Sequence, residues 1–124
     1  MPKILPDAVM DAALDYVAAA TVMHACTTLD STPTYAEITA ASLASVTVSS
    51  GDFTKADGDS SGRKLTVSAK TGVSITTSGT ATHVALVTSS GTVVRAVTTC
   101  TSQALVSGNT VNFPSWKIEI GDPT

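Results

Sequence analysis

Charge, aromatic rings and reactive side chains are all scarce in this sequence. Of its 124 residues, 14% are charged and 4% are aromatic, against about 25% charged residues in typical globular domains. The ten acidic residues outnumber the seven basic ones, and phosphate binding needs a basic surface. No apolar run approaches the ~20 residues of a transmembrane helix, and no basic start with an apolar run behind it indicates a secretory signal. We therefore expect neither nucleic acid nor a membrane as a partner.

Cysteine is too sparse to build a metal site or a disulfide framework. Cys26 and Cys100 form no CxxC spacing, and the two histidines, His24 and His83, form no close pair that would start a zinc site. With no sign of export, the sequence favours two buried thiols, with a disulfide as the alternative. It predicts no metal and no cofactor.

The residues needed for catalysis do not occur in recognisable patterns. A nucleophile needs a base and an orienting acid beside it, but neither His24 nor His83 belongs to a motif such as GxSxG. Each histidine is predicted to be a hydrogen-bonded side chain within a strand. Asp57 and Asp59 are too close together on one turn to act across a glycosidase cleft. We expect no catalytic residues and no enzyme activity.

The segment Asp57–Gly62 copies the first half of a calcium-binding loop, with oxygen-bearing residues where the loop has its first ligands and a glycine after them. The bidentate carboxylate that should close the loop is replaced by Ser68, inside a predicted strand. We interpret the segment as a surface turn. A cation shared between subunits is the minor alternative.

Serine, threonine and small aliphatic residues fill the rest of the chain in a pattern typical of strands. Ser and Thr occupy 36 positions, and β-branched runs alternate with turns that contain Gly and Ser. The clearest case is Gly62–Val87, which predicts an antiparallel meander of three strands: Lys64–Ala69, Val73–Thr77 and Thr80–Val87.

Turn signals recur along the whole chain and favour a mainly β fold. Further strands are predicted over Thr21–Thr27, Leu43–Ser49, Thr92–Thr98, Gln103–Val106, Thr110–Phe113 and Trp116–Ile120. Short strands joined by frequent turns are typical of an antiparallel β-sandwich or small barrel, here of about eight strands with one N-terminal α-helix. We expect a single domain, in which residues 1–20 form an N-terminal arm and helix and residues 21–124 form the β domain.

A helix predicted over about Pro6–Ala19 has two faces of different chemistry. Its broad apolar face, expected to be the buried one, comprises Val9, Ala12, Ala13, Tyr16, Val17 and Ala20. The other face carries Asp7, Asp11 and Asp15, and like charges at this i, i+4 spacing repel by roughly 0.2–0.5 kcal/mol per pair. This acidic stripe is either solvated or docks on a basic surface of a neighbouring subunit.

The long connection Thr28–Ser42 is a second candidate for contact with a neighbour, because connections of this length are usually functional or interfacial. Within it, Tyr35–Ala41 is compatible with an added helical turn. With the acidic stripe, the loop completes the candidate interface residues: Asp7, Asp11, Asp15, Asp30, Thr32, Tyr35 and Glu37.

Four segments spread over nearly the whole chain resemble one family. They are LPDAVMDAALDY near the start, then ADGDSSGRKLTV and TATHVALV, and finally WKIEIGDP near the end. They resemble small proteins encoded among the virion genes of tailed bacteriophages of Gram-negative hosts, and DGDxSGRK and ATHVAL are the most specific parts. The resemblance implies a non-enzymatic structural protein that is made in the bacterial cytoplasm and built into virions in many copies.

Within this resemblance, a capsid decoration (cement) protein is the leading hypothesis. Decoration proteins are small, often trimeric, and sit on the head where capsid subunits meet. The resemblance therefore implies the major capsid protein or another virion protein as partner, and a homo-oligomer with a trimer favoured. One alternative is a tail, baseplate or fibre-attachment component. Another is a carbohydrate-binding β-sandwich that aids adsorption, although sugar sites usually need exposed aromatic residues and these are few here.

Overall fold

The computed structural model describes residues 6–59, 61–90 and 92–120, which contain two α-helices, a short 3-10 helix over Ser50–Asp52 and nine strands. Their bounds are α1 Asp7–Ala18, β1 Val22–Cys26, α2 Tyr35–Ala41, β2 Ser42–Thr47, β3 Phe53–Asp57, β4 Arg63–Val67, β5 Lys70–Ser74, β6 Gly79–Thr88, β7 Val93–Leu105, β8 Thr110–Phe113 and β9 Trp116–Ile120. Most of the predicted N-terminal arm, residues 1–5, lies outside the described residues.

The strands form three antiparallel sheets, whose strand orders are β2-β1-β6-β7, β3-β4-β9 and β5-β8. An isolated bridge between Ala44 and Ile75 joins the edge of the four-stranded sheet to the segment that follows β5. The predicted fold class is confirmed as mainly β and sandwich-like with an N-terminal helix. Within the described residues the sheets do not close into a barrel.

Apolar side chains cover both faces of the four-stranded sheet, and this explains why β1 and β6 are its central strands. On one face, Met23 and Leu86 belong to the main core, which they share with residues of the other two sheets. On the opposite face, Cys26 and Val87 pack with Ile38 of α2 in a second cluster. Because successive strand residues point to opposite faces, a strand buried on both faces shows an uninterrupted run of buried residues, as β1 and β6 do.

The predicted meander across Gly62–Val87 is wrong, because its three strands lie in three different sheets. β4 pairs with β3 and β9, β5 pairs with β8, and β6 pairs with β1 and β7. The segment between the first two predicted strands, Lys70–Gly72, is not a turn but the start of β5, where Gly72, with a φ of 66°, lies in a break of register with β8. Turn residues signal where a strand stops, but they do not select its partner.

α1 confirms the predicted helix, but its predicted inner face is right only at the C-terminal end, where Ala20 is buried and Val17 packs against the main core. Met10 and Leu14 are 1% and 0% exposed, whereas Val9 and Tyr16 of the predicted inner face are 51% and 55% exposed. The physical reason is that Met10 and Leu14 form a second apolar line along the helix. Turning this line inward buries two large side chains and also brings the acidic stripe beside basic residues of β3 and β4.

One further element agrees with the sequence-based expectation, and another differs from it. Tyr35–Ala41 is a second helix, α2, whose start is capped reciprocally by Thr34 and Glu37. β7 is one strand of 13 residues where the sequence predicts two short strands. A bulge interrupts its pairing with β6, so that Cys100–Ser102 stand opposite Thr82 alone. β8 and β9 have the predicted bounds.

The two cysteines lie in different environments, and both are free thiols. Cys26 is buried as predicted, in the centre of the second cluster. Cys100 is exposed, so the prediction of two buried thiols is wrong at this position. The reason is that Cys100 belongs to the bulged part of an edge strand, where the side chains no longer alternate between core and solvent.

Candidate interaction surfaces

The two histidines are tied into the strands that carry them, as predicted. His24 Nδ1 lies 2.8 Å from Ser42 Oγ, and burial lowers the pKa of His24. His83 Nδ1 lies 2.8 Å from the hydroxyl of its neighbour Thr82. Among residues 6–59, 61–90 and 92–120, no three His, Cys, Asp or Glu side chains lie close enough together to hold a metal ion.

Asp57 ends β3, and Asp59 follows it at the surface before β4 begins at Arg63. Asp57 pairs with Arg63 at 2.8 Å, and Asp59 pairs with Lys64 at 2.7 Å as well as with a lysine of β9. The carboxylates that resemble calcium ligands are therefore held by cationic side chains of the neighbouring strands.

The acidic stripe of α1 contacts the protein's own three-stranded sheet. Asp11 accepts a hydrogen bond from Arg63 Nε at 2.9 Å, and Asp15 pairs with Lys55 Nζ at 2.6 Å. These contacts fix α1 across β3 and β4. Asp7 is exposed in the first turn of the helix. Asp11 and Asp15 are thus paired within the chain, but the Asp15 side chain is still 58% exposed, and contact of the stripe with a neighbouring subunit stays a prediction.

Besides Asp7 and Asp15, α1 exposes five apolar side chains, which we call the apolar face of α1. Its members are Ala8, Val9, Ala12, Ala13 and Tyr16. The guanidinium of Arg95 lies 4.3 Å from the centroid of the Tyr16 ring, a distance at which cation–π attraction steadies the ring. A surface helix normally turns polar residues to water, and a helix that is apolar on both sides is typical of a buried position. The apolar face of α1 is therefore a candidate contact surface.

The four loop residues predicted to form an interface stabilise the loop itself. Asp30 accepts a hydrogen bond from the Thr32 N–H at 2.9 Å, and Glu37 caps α2 by accepting bonds from Thr34. Tyr35 is half-buried against the second core cluster. The structure does bring Asp30 and Glu37 to the rim of one open depression, but it does not bring all seven candidate residues to one place.

A further exposed surface, which we call the seam, was not predicted from the sequence. It consists of the exposed segment Thr99–Ala104 of β7 and an apolar cleft between this segment and the junction of β8 with β9. The signal that would have revealed it is the charge pattern, because Arg95 is the only charged residue between Lys70 and Lys117.

No helix within the described ranges is long and apolar enough to cross a membrane. Comparison of the chain with protein-family models, with curated proteins and with solved structures finds no match.

Proposed function

We propose that the protein is a non-enzymatic structural component of a tailed-bacteriophage virion, and that it decorates the head by binding the major capsid protein. Two observations support the proposal. One is the resemblance of four segments of the sequence to small virion proteins of such phages. The other, which carries the structural argument, is the apolar face of α1.

The apolar face of α1 suits docking on a large, repeating assembly. Val9 and Tyr16 are each more than half exposed, and full burial of an aliphatic side chain is favourable by about 1.5–3 kcal/mol relative to full exposure. A single helix face of this size gives a modest affinity for each copy. Modest affinity at each of many equivalent sites is what a protein that coats a shell in many copies needs.

The chemistry of this face also limits the surface that would receive it. None of its five side chains is itself charged, but the Arg95 guanidinium lies against the Tyr16 ring. Its partner surface should therefore be apolar and free of unpaired charge, since an unpaired charge buried in the contact would be costly. We expect such a surface at the junctions between capsid subunits.

Binding to heads tests the proposal directly. Heads from the phage that encodes this chain, but with its gene deleted, are mixed with the full-length protein and pelleted. We expect Ala13→Lys, which places a charge on the apolar face of α1, to weaken binding about tenfold or more. The matched control is Ala69→Lys, at an exposed position between β4 and β5, which should bind like the wild type. Equal binding by Ala13→Lys contradicts the proposed surface.

Location in the virion tests the assignment to the head. Gold-labelled antibody against the protein should mark the head surface of intact particles in electron micrographs, and heads lacking the protein should rupture at a lower temperature. Label confined to the tail or its tip would instead make the protein a tail, baseplate or fibre-attachment component.

A carbohydrate-binding role has less support. Among the described residues, Tyr16 is the aromatic side chain with a large exposed fraction, and Arg95 lies against its ring. The remaining aromatic side chains, which are Tyr35, Phe53, Phe113 and Trp116, are buried or half-buried.

A further inference from the structure

β7 is an edge strand whose second half is unusually bare. Within the described residues it is hydrogen-bonded to β6 only. Its first half is partly covered, in part by α1, whereas every residue of Thr99–Ala104 is exposed. The bulge removes Cys100–Ser102 from the regular ladder with β6, and a bulge leaves backbone groups without their ladder partners. This segment therefore offers backbone donors and acceptors to a partner along an edge that folding has not covered.

The cleft beside this segment is apolar and contains an unpaired donor. Two adjoining cavities of about 230 Å³ and 240 Å³ share Val84, Cys100, Phe113 and Pro114 among their lining residues. Trp116 lines the second cavity, and its indole Nε1 is buried without an acceptor among the described residues. Apolar walls beside an exposed strand edge are features of a surface completed by another chain.

The distribution of charge favours a second copy of this protein as the chain that completes the seam. Charged side chains gather on α1, β3, β4 and β9, whereas the seam contains only Lys117, at its margin. The protein carries a net charge of −3. Two copies that approach through their charged sides therefore bring like charges near each other and repel. Two copies that approach through Thr99–Ala104 meet without this repulsion, and neutral Thr and Ser residues facing each other across strands contribute roughly 0.2–1 kcal/mol per pair.

The edge strands of the three-stranded sheet, β3 and β9, carry charged residues, unlike the exposed segment of β7. β3 carries Lys55 and Asp57, and β9 carries Lys117 and Glu119. Charged residues on an edge strand are a common protection against pairing with another chain. The exposed segment of β7 has neither a charged residue nor a proline.

We propose that the seam is a self-association surface that receives a second copy of this chain, with Thr99–Ala104 of the two copies antiparallel about a two-fold axis. Such an isologous contact uses the same patch on both copies. Because the segment is bulged, the contact consists of short stretches of edge pairing together with filling of the two clefts. The surface is distinct from the apolar face of α1 and does not depend on the proposed head binding.

Analytical ultracentrifugation of the full-length chain tests the proposal. The wild type should show a dimer that forms as the concentration rises. Thr101→Lys places like charges near the two-fold axis and should weaken the dimer at least about tenfold, with the circular dichroism spectrum unchanged. The matched control, Thr54→Lys on the exposed edge of β3, should dimerise like the wild type. A monomer at all concentrations, or an oligomer of any size that Thr101→Lys leaves intact, overturns the proposal.

Cys100 provides an independent readout at the contact itself. Cys26 is fully buried, and burial raises the pKa of its thiol to about 11, so Cys100 is the thiol that DTNB reaches in the folded protein. We expect the labelling of Cys100 to slow as the wild-type concentration rises through the dimerisation range, and to stay constant in Thr101→Lys. A wild-type labelling rate that does not change with concentration overturns the proposal.

Discussion

At the scale of single residues, His24 shows how burial sets a chemical property. It lies in β1 and is 8% exposed, with its Nδ1 2.8 Å from Ser42 Oγ. Desolvation penalises the charged ring, so burial lowers the pKa of His24 below its usual value. The folded protein therefore holds this ring neutral near pH 7, in contact with a hydroxyl rather than with a carboxylate.

The lowered pKa of His24 predicts a pH dependence of stability. Below about pH 6.5 the unfolded chain takes up a proton on this histidine, while the folded chain resists it. The free energy of unfolding should therefore be constant above that pH and fall as the pH drops toward 5. Urea denaturation between pH 5 and 8 measures this. His24→Gln should flatten the profile, and a profile that survives this substitution contradicts the assignment.

The two cysteines show what a sequence can and cannot predict for one residue. Both cysteines were predicted to be buried thiols because nothing indicated export, and the prediction is right for Cys26 only. Cys100 occupies a similar Thr-rich run, yet it is exposed because three residues of β7 stand opposite one residue of β6. The position of a bulge depends on the pairing of two strands, and neither strand's sequence contains that information.

At the scale of elements, α1 has two possible inner faces, and packing chooses between them. The broader apolar stripe predicts that Val9 and Ala13 face the core, but Met10 and Leu14 take that place. Two ion pairs, from Asp11 to Arg63 and from Asp15 to Lys55, are made in the same orientation. The sequence of the helix does not contain these partners, which lie about fifty and forty residues away along the chain.

Substitutions at two adjacent positions of α1 should change the free energy of unfolding by very different amounts. Leu14→Ala removes a fully buried side chain and should lower the free energy of unfolding by about 2–5 kcal/mol. Ala13→Lys adds a charged side chain at an exposed position and should change it by less than about 0.5 kcal/mol. Thermal or urea denaturation of the two variants decides which face is buried. A large loss in Ala13→Lys with little change in Leu14→Ala would restore the face predicted from the sequence.

Strand bounds were more predictable than strand partners. Thr110–Phe113 and Trp116–Ile120 have the predicted ends because Gly108 and Pro114 break the chain beside them, and such breaks are local. The partners of β4, β5 and β6 were predicted wrongly because pairing depends on which distant strand offers a matching apolar face. The second half of β6 is buried on both faces, so it needs a place inside a sheet that is covered on both sides. Pairing with β1 gives it this place, between the main core and the second cluster.

At the scale of the whole molecule, the two candidate surfaces lie on different elements and have different chemistry. The apolar face of α1 is a helix surface of Ala, Val and Tyr, whereas the seam is a strand edge with an apolar cleft. Charged side chains occupy the three-stranded sheet and the inner side of α1. The two proposed contacts therefore use different residues and do not compete for one surface.

Simultaneous use of the two surfaces predicts that pairing strengthens head binding through avidity, because a paired copy binds its second site as an intramolecular event. Thr101→Lys should therefore reach the same saturation on gene-deleted heads as the wild type, but at a concentration about tenfold higher or more, while Thr54→Lys follows the wild type. Titration of labelled protein onto purified heads measures both quantities. If Thr101→Lys abolishes the dimer yet gives the wild-type binding curve, the copies bind the head independently, and pairing through the seam has no part in decoration.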